Sequence, residues 1–417
     1  MLIEFSVTNF RSIREKQTLS MVAGSGKEMP GNTFDPKAPK APRLLRSAAL
    51  FGPNASGKTN VINALAFMHN FVRDSATGRE PKAKTGATPF LLDRDSRNQP
   101  SEFEILFIHK GIHYQYGFAL TRERVVEEWL FAWPVGRAQM WFKRSYDDAS
   151  DAYTWGMGNS LLGQRQVIQE ATRPNALFVS TAAQLNHEQL SVIPEWFQEG
   201  LFLMGNGLLE YRHIAHTLDM IENEGGASGL ANFMKAADLG INGIAVDRKT
   251  ITADDLPSAP EELKQEIVGK KMRRPVFLHE CPDGSGQERF PIESESDGTR
   301  AMFALAGPWR DIIANGMVLV IDELSSLHPK LVRFLVELIH SPHYNPKNAQ
   351  LIFTTHDVTL MDDLFRRDQI WLVEKDASQA STLTPLSEFK PRLDEKLQKG
   401  YMSGRYGALP VLTPERL

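Results

Sequence analysis

The sequence predicts an α/β protein: a parallel sheet core with helices, an antiparallel β lobe, and a mostly helical insertion. Three observations carry that expectation. A short apolar run, Ser47–Phe51, enters a glycine-rich turn and then an apolar-periodic stretch from Asn60 to Phe71, which reads as strand, loop, helix. From 297 onward helix and strand patterns alternate at 297–314, 317–322, 329–340, 350–355, 358–365 and 369–374, the rhythm of βαβ units. Between Glu102 and Tyr146 apolar and polar residues alternate repeatedly, with Lys110-Gly111 where a hairpin should turn. That pattern reads as an antiparallel sheet.

The remaining elements follow in order. Leu2–Phe10 alternates, with Ile3, Phe5 and Val7 on one face and Glu4, Ser6 and Thr8 on the other, so it is a half-buried strand. Residues 24–43 and 74–100 are rich in Gly, Pro and Lys or Pro and Gly and read as loops. Residues 165–172 look helical and Ala176–Thr181 looks like a buried strand. From about 187 to 270 helical periodicity dominates, broken by Gly225-Gly226. A hairpin (Val276–His279, a turn at Asp283-Gly284, Arg289–Ile292) brings the chain back. The expected divisions are 1–184, an insertion over 185–273, and 274–417. The insertion is too short and too glycine-broken for a long coiled coil, and no internal repeat is visible.

Composition narrows the function. At ~150 residues per domain, 417 residues suggest two or three domains. Lys and Arg number 47 against 51 Asp and Glu, a formal net charge of −4. This argues against a whole surface devoted to nucleic acid or anionic membrane, while leaving room for a local basic patch. Lys37, Lys40, Arg43 and Arg46 form one basic group and Lys270, Lys271, Arg273 and Arg274 another. Either could touch nucleic-acid phosphates, and either reads equally as solvated surface. A single cysteine, Cys281, excludes a disulfide framework and a cysteine-rich zinc site. No signal peptide is visible, and no apolar run reaches the ~18–20 residues that span a bilayer. A cytoplasmic protein is expected.

Gly52-Pro-Asn-Ala-Ser-Gly57-Lys58-Thr59 matches G-x-x-x-x-G-K-[ST] at every fixed position, between a strand and a helix. Its glycines let backbone N–H groups face a phosphate, and the helix N-terminus adds partial positive charge. ATP is therefore expected at Asn54, Gly57, Lys58 and Thr59, with Lys58 reaching the β- and γ-phosphates and the Thr59 hydroxyl ligating Mg²⁺. Met317–Glu323 is an apolar strand ending in two carboxylates. After a phosphate loop, Asp322 is expected in the Mg²⁺ shell and Glu323 as the base that polarises the attacking water. Leu351–Asp357 ends a second apolar strand at His356, 33 residues after Glu323, one strand–helix–strand step along the sheet. That position lets His356 donate a hydrogen bond as charge develops on the γ-phosphate. Ser296, Asp297 and Gly298 open a helix 26 residues before Asp322, counted from Ser296. They read either as a helix N-cap or as an anion site that caps the ATP of a second subunit.

GPNASGKT, SESDGTR, VLVIDE and FTTHD, in this order, resemble the head domain of ABC-type ATPases of the SMC/RecF branch. VTNFRSI resembles the first strand of that branch, which implies that the Arg11 loop lies over the nucleotide. Phe178–Gln184 resembles the strand leading into the glutamine loop, which implies Gln184 as a contact to Mg²⁺ and water. Within the branch, PSEFEILF, NALFVSTAAQLN, SSLHP and LSEFKPRLDEKLQKGYMSGRYGALP are similar to stand-alone bacterial AAA-family ATPases of the RloA/abortive-infection type, found in anti-phage loci. The stretch Glu323–Pro329 is one residue shorter than that family's usual spacing.

The resemblance implies an ATPase that dimerises, or assembles further, through its heads. In one reading it is the sensor or scaffold of an anti-phage system. In the other it is a RecF-like repair ATPase that loads on DNA. About 60 residues follow His356, too few for an appended nuclease domain, so a separately encoded nuclease or RNase is the expected effector. Gly400–Gly407 is expected to be either a tail packed on the head or a docking segment.

Overall fold

The computed structural model describes residues 1–204, 211–223, 227–237, 240–255, 260–324 and 327–410. The chain divides into two compact units. The first comprises Met1–Asn206, Ile312–Ser325 and Leu335–Leu417, the second Gly207–Asp311 and Ser326–Phe334.

Two sheets organise the first unit. The antiparallel one contains β1 (Leu2–Thr8), β2 (Gln17–Ser20), β6 (Ser101–His109), β7 (Ile112–Leu120), β8 (Val125–Trp133), β9 (Gln139–Asp147) and β10 (Ala152–Met157), in the order β10-β9-β8-β7-β6-β1-β2. Its strands alternate buried and half-buried residues, as a sheet with one face on a core must. The β6–β7 turn is Lys110-Gly111, both at positive φ (48° and 77°), the two-residue geometry that matches strand twist. A minor pair, β3 (Thr33–Phe34) and β4 (Leu44–Leu45), stands beside it in sequence.

The second sheet has the order β11-β15-β16-β5-β17-β18, from β5 (Ser47–Phe51), β11 (Leu201–Met204), β15 (Val318–Ile321), β16 (Gln350–Thr354), β17 (Ile370–Lys375) and β18 (Ser381–Pro385). All pairings are parallel except β17–β18. Every residue of β5, β15 and β16 is buried, the continuous apolar text of a parallel sheet covered on both faces. Helix α1 (Lys58–Asp74) starts at the end of the phosphate loop and packs Phe67 and Phe71 onto Phe103 and Phe118 of the antiparallel sheet, with ring centroids 5.0 and 5.5 Å apart. Helices α2 (Gln166–Ala171), α3 (Phe178–Gln184), α4 (Glu188–Glu199), the second half of α9 (Pro329–His340) and α10 (Leu397–Met402) belong to the same unit.

The second unit holds α5 (Tyr211–Asn223), α6 (Ala227–Ala236), α7 (Glu261–Ile267) and the start of α8 (Asp297–Asn315), with a sheet of β12 (Gly243–Thr250), β13 (Lys271–Glu280) and β14 (Gln287–Pro291). Pro308 inside α8 cannot donate to Ala304. Thr217 of α5 sits at that break: its hydroxyl lies 3.1 Å from the Phe303 carbonyl and accepts from Gly307 N at 3.1 Å.

Three local expectations change. Ala176–Thr181 is not a strand, because α3 begins at Phe178. The Glu128 carboxylate, fully buried against Arg144 at 2.8 Å, accepts from Phe178 N (2.7 Å) and Val179 N (3.2 Å). A tertiary anion therefore caps this helix, which no local pattern announces. Leu201 is not helical: Leu201–Met204 pairs with β15 in the parallel sheet. β13 and β14 lie in the second unit. Residues 358–365 form only a single 3₁₀ turn at Val358–Leu360.

Candidate nucleotide site

The site forms where β5, β15 and β16 end side by side. Parallel register sets Ile321 opposite Phe353, and Thr354 opposite Leu50. The carboxylates after β15, the histidine after β16 and the loop after β5 therefore emerge at one edge. The loop turns sharply at Gly52, where a Cβ would overlap the Val373 carbonyl.

Lys58 is buried at 7% exposure, and its ammonium donates to the carbonyls of Gly52 (2.7 Å) and Pro53 (3.0 Å). Burial pulls its pKa down to about 8, against the attraction of Asp322 and Glu323. Asp322 Oδ1 accepts from the Thr59 hydroxyl at 3.3 Å and from the Thr354 hydroxyl at 2.8 Å. Thr354 in turn accepts from Glu323 N at 2.7 Å, which holds Glu323 at φ 65° with its side chain exposed. A left-handed non-glycine residue costs about 1–3 kcal/mol and survives only where neighbours impose it. His356 lines the same pocket as Gly52. Burial, then Lys58, hold its pKa below the usual histidine value, while Glu323 and Asp322 oppose.

Lys58, Thr59, Asp322, Glu323 and His356 are thus brought together. Thr59 and Asp322 supply two hard oxygen donors, the kind Mg²⁺ takes alongside phosphate and water. Among the described residues no group of three or more His, Cys, Asp or Glu could hold a metal, so a magnesium ion here would draw most of its shell from outside the protein. Asn54 is exposed on the loop and Gly57 ends it at φ 111°. Arg11 is exposed at φ 50°, its backbone N bonded to Thr88 O and its guanidinium 5.4 Å from the Phe10 ring centre. A pocket of about 950 Å³ is lined by Gly52–Ser56, His356 and, from the C-terminal segment, Tyr401, Met402, Leu409 and Pro410.

Gln184 does not join this group. Ser180 Oγ donates to Val72 O and Leu177 N to Ser75 Oγ, so α3 runs antiparallel beside the far end of α1. That leaves Gln184 level with about Met68, ~14 Å along the α1 axis from Thr59 at 1.5 Å per residue. It is also the exposed last residue of its helix. In the second unit Ser296 accepts from Thr299 N at 3.1 Å, an N-cap of α8, while exposed Asp297 pairs with Arg300. Arg46 is buried and donates to Asn345 O, so it is a packing residue and not a nucleic-acid contact. Arg273 is engaged by Asp219 and Glu222. Sequence reading missed Thr354, although its place between two functional strand ends was a usable signal.

A phosphate loop on one strand, an Asp-Glu pair two strands away and a histidine on the strand between give the layout of a phosphate-loop ATPase. The family described as "AAA domain, putative AbiEii toxin, Type IV TA system" matches residues 47–362. The chain belongs to that family. Solved structures with similarity include an SMC head bound to the C-terminal winged-helix domain of ScpA (14% identity over 92% of this chain and 96% of that one, TM-score 0.42). They also include the SMC head domain from Thermotoga maritima (13%, 92% and 98%, 0.39). A third is an SMC head with an extended coiled coil bound to the C-terminal domain of ScpA, derived from Pyrococcus furiosus (13%, 97% and 99%, 0.42). No curated protein matches the chain. Among the described residues no helix is long and apolar enough to cross a membrane.

Proposed function

We propose that this chain binds MgATP and hydrolyses it as a switch, serving as the sensor or scaffold of a bacterial anti-phage system that controls a separately encoded effector. The observation that carries the ATPase reading is the chain of contacts Thr59–Asp322–Thr354–Glu323, beside Lys58 and His356. Lys58 leaves its two carbonyl partners to meet the β- and γ-phosphates. Thr59 and Asp322 hold Mg²⁺, which supplies charge neutralisation to the phosphates when bound. Glu323 accepts the proton of the attacking water, and His356 donates to the oxygen on which charge accumulates.

Ser296, Asp297 and Gly298 cap the nucleotide of a second copy, so that ATP closes a head-to-head dimer and hydrolysis opens it. The family's description as a putative AbiEii toxin of a type IV TA system supports the defence role. Lys58→Ala should abolish ATP binding, measured by titration with a fluorescent ATP analogue. Co-purification decides the biology: a nuclease-like partner supports defence, and recombination proteins support the repair alternative.

A further inference from the structure

Behind the phosphate loop lies a group of hydroxyls with no role in the reaction just described. Ser381, the first residue of β18, is 2% exposed, and its Oγ donates to the Ser56 carbonyl at 2.7 Å. The same oxygen lies 2.8 Å from Ser12 Oγ, and Asn60 Nδ2 donates to Ser12 Oγ at 2.7 Å. A serine hydroxyl has one proton to give. Since Ser381 gives its proton to Ser56 O, it accepts from Ser12, and Ser12 accepts from Asn60. The direction of the whole chain is therefore fixed: Asn60 to Ser12 to Ser381 to the Ser56 carbonyl. Ser381 N also donates to Ser12 O at 2.7 Å. Gly57 rests directly on this group, for a Cβ there would overlap the Ser381 hydroxyl.

The chain thus ties three segments together: the loop carrying Arg11, the Ser56-Gly57 turn and the first turn of α1. We propose that Asn60, Ser12 and Ser381 form a relay that holds the phosphate loop in the shape that receives the triphosphate, with Ser381 as a positioning residue. Its effect should fall on nucleotide affinity more than on the chemical step, because the relay reaches neither Glu323 nor His356. The inference rests on the ATPase reading above.

The test is steady-state ATP turnover and thermal unfolding of the full chain, with Ser381→Ala, Ser12→Ala and the double variant beside wild type. Loss of the buried bond from Ser381 Oγ to the Ser56 carbonyl, the one that reaches the phosphate loop, should raise KM for MgATP about tenfold in Ser381→Ala, with kcat within about twofold. The double variant should be no worse than Ser381→Ala, since the relay is already broken at its end. Should Ser381→Ala fold poorly, half-buried Ser12→Ala still predicts a raised KM at unchanged kcat. A lowered unfolding temperature with unchanged KM shows a purely structural group and overturns the relay, as do single effects that multiply in the double variant. A wild-type chain that neither binds nor hydrolyses ATP overturns the ATPase reading and the relay with it.

Discussion

Thr354→Val removes one hydroxyl while keeping the shape of a buried side chain, and it releases both acidic residues of the site at once. The lost hydroxyl makes two bonds, donating to Asp322 Oδ1 at 2.8 Å and accepting from Glu323 N at 2.7 Å. A bond to a carboxylate contributes about 1.5–3 kcal/mol and a neutral one about 0.5–1.5 kcal/mol. Together they hold roughly 2–4.5 kcal/mol of order at the site. Glu323, at φ 65°, relaxes toward ordinary backbone angles once its N–H is released. If about 2–2.7 kcal/mol of that order is felt in the transition state, kcat falls about 30- to 100-fold. Nucleotide binding in the absence of magnesium stays within about threefold, because Thr354 touches neither Lys58 nor the loop. Phosphate release and nucleotide titration measure the two quantities, and Thr354→Ser should restore most of the rate. Turnover at the wild-type rate in Thr354→Val would refute the reasoning.

Acid stability should report His340, whose Nε2 lies 2.8 Å from Ser47 Oγ and whose pKa burial, with help from Arg46, lowers to about 3. The unfolded chain takes up this proton near pH 6.5 and the folded chain does not, so stability is complete above pH 6.5 and declines below it. About 2 kcal/mol is lost by pH 5 at 1.36 kcal/mol per unit. Urea unfolding at pH 7 and pH 5 checks it, and His340→Gln should shrink the difference by about 2 kcal/mol; an unchanged difference in the variant contradicts it. Ser296→Arg should leave nucleotide binding at Lys58 intact while ATP-dependent dimerisation and turnover fall. Mixed with Lys58→Ala, it should recover at most one composite site per heterodimer, and normal turnover by Ser296→Arg alone would reduce Ser296 to the N-cap of α8.

The legible parts of this molecule were those whose chemistry is local. The phosphate loop, the apolar strands ending in Asp322-Glu323 and in Thr355-His356, and the Lys110-Gly111 turn each carry their signal within a few residues. What sequence reading missed depends on partners far along the chain. Ala176–Thr181 reads as a strand by its apolar text, yet a helix begins at Phe178 because Glu128, fifty residues earlier, accepts from Phe178 N. Leu201–Met204 is too short to separate strand from helix by period, and its pairing with β15 decides it. Gln184 follows from resemblance to a strand, whereas here it ends helix α3, whose antiparallel course runs beside the far end of α1. The Ser12–Ser381 contact joins residues 369 positions apart, beyond any local pattern.

Glu323→Gln, followed through a single turnover with radiolabelled ATP and magnesium, tests whether the carboxylate after β15 acts as the base. The amide keeps the shape and the backbone bond to Thr354 but cannot accept the water proton. The variant should bind ATP as tightly as wild type and retain it unhydrolysed, while wild type releases ADP and phosphate. Equal turnover by wild type and Glu323→Gln would contradict the assignment.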